Sequence, residues 1–96
     1  MSDDFDPYHR WLGIPPKYQP PDFYRLLGVE QFEADPAVID DAAERQIAHV
    51  RRKALSQHSQ LSQKILNELA GAKNCLLTPD RKAEYDAALR SQMSPA

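Results

Sequence analysis

Apolar positions recur every three or four residues in two long stretches of this chain. In the first they are Ile39, Ala42, Ala43, Ile47, Val50 and Ala54. This spacing keeps one side of an α-helix apolar and predicts an amphipathic helix over residues 36–55. In the second they are Leu61, Ile65, Leu66, Leu69, Ala72, Leu76 and Leu77. Between the two lies the polar run Ser56-Gln57-His58-Ser59-Gln60, which breaks the pattern. So short a link makes the two helices an antiparallel hairpin. Ala42, Ala43 and Ala72 are small enough to let the axes approach closely. No stretch alternates apolar and polar residues in the manner of a strand, so the predicted fold class is all-α.

Start and stop signals place the remaining elements. Asp35-Pro36 offers a capping carboxylate and then proline at the first helical position. Asp40, Asp41 and Glu44 near the start of that helix, and Arg51, Arg52 and Lys53 near its end, are expected to complement its dipole. Asp22 is a second N-cap, for a short helix through Leu27. Gly28 sits where a left-handed stop is wanted, with Val29 supplying the apolar contact beyond it. Phe32, in the next loop, is expected to plug the core. Thr78-Pro79 ends the second long helix and opens a final short one, with Asp80 in its first turn and Tyr85, Ala88 and Leu89 turned inward. Gly71 is out of place within a helix, where it costs up to ~1 kcal/mol against alanine. Close packing of a neighbouring segment would account for it.

Six of the eight prolines fall in the first 36 residues, and Pro15-Pro16 and Pro20-Pro21 hold that part of the chain extended. Tyr8, Trp11, Leu12 and Ile14 supply large apolar surface there. Residues 1–21 are therefore expected to form a helical turn and an extended strap, pressed on the helical body by its aromatic groups. Residues 22–90 form the helical domain, and residues 91–96 read as a linker or disordered tail, like the start of a connection to further chain.

Ninety-six residues with 42% hydrophobic and 27% charged side chains suit one modest core in a single domain. The net charge of −2 provides no global field toward nucleic acid or a membrane. The single cysteine, Cys75, precludes an intrachain disulfide and fits a reducing interior. With an acidic N-terminus and no apolar run of ~18–20 residues, no membrane segment is expected, and the expected location is cytoplasmic.

Two segments carry a family likeness: Asp22-Phe23-Tyr24-Arg25-Leu26-Leu27-Gly28-Val29, and Pro79-Asp80-Arg81-Lys82-Ala83-Glu84-Tyr85-Asp86. Between them stand Ile39-x-x-Ala42 and Leu66-x-x-Leu69-x-x-Ala72-x-x-x-Leu76. In this order, over residues 22–89, the chain resembles a J domain, the helical module of DnaJ-type co-chaperones. Counted from Ile39, the family's His-Pro-Asp tripeptide falls on Arg51-Arg52-Lys53. The resemblance implies a J-type scaffold whose helix-breaking proline is missing and whose acidic contact is reversed to Lys53, so stimulation of a DnaK-type ATPase does not carry over. The front segment from Tyr8 to Pro16, with His49-Val50-Arg51 and Leu66-Asn67-Glu68, resembles J-like domains at the N-terminal end of planctomycete-type bacterial proteins. That likeness implies an interaction or adaptor module.

The candidate partner-binding residues are Arg45, His49, Arg51, Arg52 and Lys53. Arg45, His49 and Arg52 fall on one broad side of the helix, with Lys53 nearby. In the resembled family this face docks on an acidic chaperone surface, and a retained basic face suits an acidic protein partner. The plainer account is a solvated, dipole-compatible face. Other chemistry is sparse in the sequence. His9, His49 and His58 lack metal-ligand spacing, and Cys75 has no neighbouring Cys or His. Cys75 reads as a half-buried apolar group. With no phosphate loop and no nucleophile–base pair, the expectation is a protein that is not an enzyme and uses no cofactor or metal. Two alternatives stand beside the adaptor reading: a divergent co-chaperone acting through the basic helix, and, less favoured by the net charge, nucleic-acid binding.

Overall fold

The computed structural model describes residues 5–53 and 59–93. Among the described residues five helices follow one another: α1 (Pro7–Leu12), α2 (Phe23–Leu27), α3 (Pro36–Lys53), α4 (Ser59–Leu77) and α5 (Pro79–Met93). A single 3-10 turn at Pro16–Tyr18 interrupts the strap between α1 and α2. No strand occurs among the described residues, so the all-α class holds.

Local chemistry sets the helix ends. The Asp22 carboxylate accepts from the Arg25 N–H at 2.8 Å and starts α2. Gly28, at φ +82°, ends it: the N–H groups of Val29 and Gly28 donate to the carbonyls of Tyr24 and Arg25. This is the Schellman closure, which a side chain at Gly28 would strain. Asp35 accepts from the Ala37 N–H at 2.9 Å and starts α3 just before Pro36. Asp6-Pro7 repeats the device at α1, where Asp6 accepts from the N–H groups of Tyr8 and His9. The front segment is thus anchored by its own capped helix.

α3 and α4 make the most extensive helix pair. Ile39, Ala42, Ala43 and Val50 of α3 are buried, as are Ile65, Leu69, Ala72, Cys75 and Leu76 of α4. Lys73, late in α4, pairs with Asp40 at 3.4 Å and with Glu44, both early in α3, so the two helices run antiparallel. α1 lies against both. Trp11, only 7% exposed, joins the core and meets the Phe5 ring edge-on at 5.3 Å. Phe32 packs on Tyr24 with ring centroids 5.7 Å apart, so the expected plug is present.

α5 is bound to α2 at two points. The Phe23 N–H donates to the Tyr85 hydroxyl at 2.8 Å, and their rings stack at 4.4 Å. Deeper in, the Tyr24 hydroxyl donates to Asp86, whose other oxygen takes Lys82 at 2.8 Å.

Several expectations change. α5 is not short: it runs through Met93, so residues 91–93 are helix rather than tail. Ala83, Ala87, Ala88, Leu89, Arg90, Gln92 and Met93 favour helix, and no glycine or proline stops it. Ala88 is exposed rather than turned inward. Ser59 and Gln60 open α4 instead of belonging to the link. No acid occupies the first turn of α3, so Asp40 and Glu44 act as partners of Lys73 and lie beyond the reach of the helix terminus. Gly71 is not explained by close packing, because a Cβ there would meet nothing within 4 Å. Ala54, Leu55, Ser56, Gln57 and His58, and with them the predicted end of the first long helix, lie outside the described residues.

Candidate partner-binding surface on α3

The three or four residue spacing of Arg45, His49 and Arg52 stacks them along one side of α3 over about 10 Å. The apolar stripe of the same helix is turned to α4, which directs this side outward. Arg45 and Arg52 are exposed and His49 half-buried. Together with Trp11, Gln46 and Ala48 they line a shallow groove between α1 and α3. The structure thus brings three of the five candidate residues together. Arg51 and Lys53 are exposed in the last turn and lie outside the groove lining.

Among the described residues, Arg45, Arg51, Arg52 and Lys53 form no ion pair with a carboxylate, and neither do Arg10, Lys17, Arg25, Arg81 and Arg90, whereas Lys64, Lys73 and Lys82 are each paired. The acids near the hairpin seam are committed to Lys73. The cationic side of α3 therefore keeps its charge for whatever approaches it. An approaching carboxylate would meet two guanidinium forks, each able to hold it through two parallel hydrogen bonds. The Trp11 edge and the Ala48 methyl place apolar surface beside those charges.

Gln46 and Ala48 were not recoverable as site residues from the sequence. Ala48 and Gln46 carry no pattern of their own. Trp11 reaches the groove through the packing of α1 on α3, a contact between segments more than twenty residues apart.

The other singled-out residues have structural settings. Tyr8 is held by a 2.6 Å hydrogen bond from its hydroxyl to Glu68, and Lys64 donates to the same hydroxyl at 3.0 Å. Burial is the main cause raising the Tyr8 phenol above its usual range, with the Glu68 contact adding to it. Cys75 is buried, and desolvation pushes its thiol up, away from the reactive thiolate. His9 is exposed on α1, remote in sequence from His49, and His58 lies outside the described residues. Among the described residues no three His, Cys, Asp or Glu side chains converge on a common point, and no helix is long and apolar enough to cross a membrane. No protein-family model, curated protein or solved structure matches the chain.

Proposed function

We propose that this chain is a non-enzymatic protein-interaction or adaptor module built on a degenerate J-type scaffold. It docks an acidic protein surface through Arg45, His49 and Arg52, with Arg51, Arg52 and Lys53 at the end of α3 adding long-range attraction. The observation that carries this reading is the convergence of Arg45, His49 and Arg52 with Trp11 on one groove, where among the described residues neither arginine has a carboxylate partner. A purely structural charged face would gain from local pairing. Support for the scaffold comes from the order of helices and from the seam between α3 and α4. In the resembled family a proline-kinked acidic tripeptide does the work, and here Arg51-Arg52-Lys53 stand in its place, still helical. A lysine brought to a partner arginine repels it, so the module binds without stimulating a DnaK-type ATPase.

Two measurements test this. DnaK-type ATPase turnover is followed with and without the domain, and no stimulation is expected. Binding to an acidic helical peptide is measured across a salt series. Affinity should fall as ionic strength rises and should drop at least tenfold in Arg45→Glu/Arg52→Glu. Clear stimulation, abolished by Arg52→Glu/Lys53→Glu, would instead establish a divergent co-chaperone. Salt-independent peptide binding would remove the proposed surface altogether.

A further inference from the structure

Gly71 stands well inside α4, where glycine weakens a helix through the extra freedom of its unfolded backbone. Neither common reason for tolerating it applies. Its backbone is not in the left-handed region, and a Cβ would find open space. What the missing side chain does is widen a pocket of about 310 Å³ on the face of the molecule formed by the strap, α2 and α4. Its other walls are Tyr8, Pro20, Pro21, Phe23, Leu26 and Glu68. The size falls at the lower end of small-ligand sites.

The hydrogen-bonding capacity of this pocket is one-sided. Pro20 and Pro21 have no N–H. The N–H groups of Tyr8, Phe23 and Leu26 are already given to Asp6, Tyr85 and Asp22. Those of Glu68 and Gly71 belong to the interior of α4. The Tyr8 hydroxyl spends its proton on Glu68. What remains along the walls is acceptor only: spare lone pairs on the Glu68 carboxylate and on the tyrosine oxygen. A polar group entering the pocket must therefore donate, and beside a carboxylate a cation donates best. Lys64 displays the same preference at the rim. Its ammonium lies 2.8 Å from Glu68 and 5.4 Å from the Tyr8 ring centroid. That side chain is 59% exposed and so yields to a competitor.

We propose that this pocket binds an aromatic or branched aliphatic group carrying an ammonium nitrogen. Its carbons lie between Tyr8, Phe23 and Pro21 and over Gly71, and its nitrogen donates to Glu68. The site is on a different face from the α3 groove and shares no lining residue with it.

The test is a titration of the full 96-residue, 15N-labelled chain with 2-phenylethylammonium, with phenylacetate and with Phe-Gly-amide. Saturable shifts are expected at the amides of Tyr8, Phe23, Leu26, Glu68 and Gly71, with phenylacetate at least tenfold weaker. Tighter binding of the dipeptide assigns the natural group to a polypeptide N-terminus, and tighter binding of the simple amine assigns it to a small molecule. Gly71→Leu should fill the space and weaken binding at least tenfold, with thermal melting checked by circular dichroism. Should that variant fold poorly, Gly71→Ala serves, with a smaller loss of affinity. Lys64→Met should strengthen binding a few-fold by freeing Glu68, and Glu68→Gln should erase the preference for the ammonium over phenylacetate. Equal binding of phenylacetate to the wild type, shifts centred elsewhere, or full affinity in Gly71→Leu would overturn the proposal.

Discussion

The hydroxyl of Tyr24 donates to the carboxylate of Asp86, and this buried bond ties α2 to α5 across 62 positions of sequence. Tyr24 is fully buried and Asp86 only 7% exposed. Lys82 completes the set, 2.8 Å from the other Asp86 oxygen and 5.5 Å from the Tyr24 ring centroid. Buried polar groups contribute when every partner is present and are costly when one is removed. Tyr24→Phe should cost about 1.5–3 kcal/mol, the range for a hydrogen bond to a charged group. Asp86→Ala should cost more, about 3 kcal/mol, since it strands both the phenol and the ammonium. Urea unfolding of the two variants checks the order; equal and small losses would show that α5 is not held this way.

The same burial fixes the response to alkali. Desolvation, followed by the bond to Asp86, raises the Tyr24 phenol well above its ordinary value of 10.0. Burial likewise raises Tyr85 from 10.0 and the Cys75 thiol from 9.0. Each of these groups holds its proton in the folded chain to higher pH than in the unfolded one. Their stabilising effect is complete below the unfolded values and is lost as pH climbs through the folded ones. Unfolding free energy should be flat near neutrality, begin to fall above about pH 9 as Cys75 titrates in the unfolded state, and steepen above pH 10. Cys75→Ala should move the onset upward, which denaturant titrations across pH 7–11 would reveal.

Gly28 and Gly71 make opposite predictions from the same residue type. Gly28 adopts φ +82°, and a Cβ there would touch Gln46 Nε2 at an ordinary 3.5 Å. Its substitution penalty is therefore conformational, and Gly28→Ala should destabilise by about 1 kcal/mol. Gly71 is helical with open space around its Cβ position. Gly71→Ala should stabilise by about 0.5–1 kcal/mol. Thermal melts of the pair decide the matter, and a destabilised Gly71→Ala would point to an unseen neighbour.

Trp11 tests whether the strap belongs to the fold. It is buried against the core, with α1 resting on both α3 and α4. Trp11→Ala should cost roughly 3–5 kcal/mol, as for other large core truncations. As the only tryptophan, it also reports directly: its fluorescence should be blue-shifted in the native chain and move to the red on unfolding. A red-shifted native spectrum would mean that α1 is not seated.

The basic side of α3 should behave in the reverse way. Arg45 and Arg52 are exposed and unpaired among the described residues. Arg45→Glu/Arg52→Glu should change stability by no more than about 0.5 kcal/mol while weakening binding to an acidic peptide at least tenfold. Loss of folding in that variant would reassign the cluster from recognition to structure.

Local signals were readable in advance. Asp22 and Gly28, Asp35-Pro36, and the stripes of α3 and α4 act within one or two helical turns, so their spacing along the chain already contains their geometry. Asp6-Pro7 carried the same signal as Asp35-Pro36 but was hidden by the density of prolines that follow it. α5 extends beyond what the sequence marks because few apolar residues trace its length and no stop residue marks its end. The i, i+4, i+7 spacing of Arg45, His49 and Arg52 was likewise local and survived folding as one face.

The chain's own pattern thus determined the helical class, most helix boundaries, the two core stripes and the outward cationic row, because each depends on residues a few positions apart. Tertiary structure alone decided that Tyr24 meets Asp86, that Trp11 borders the α3 groove, and that Gly71 opens a pocket instead of a contact. Those outcomes depend on how separate helices settle against one another, and the side-chain volumes that govern it come from distant segments at once.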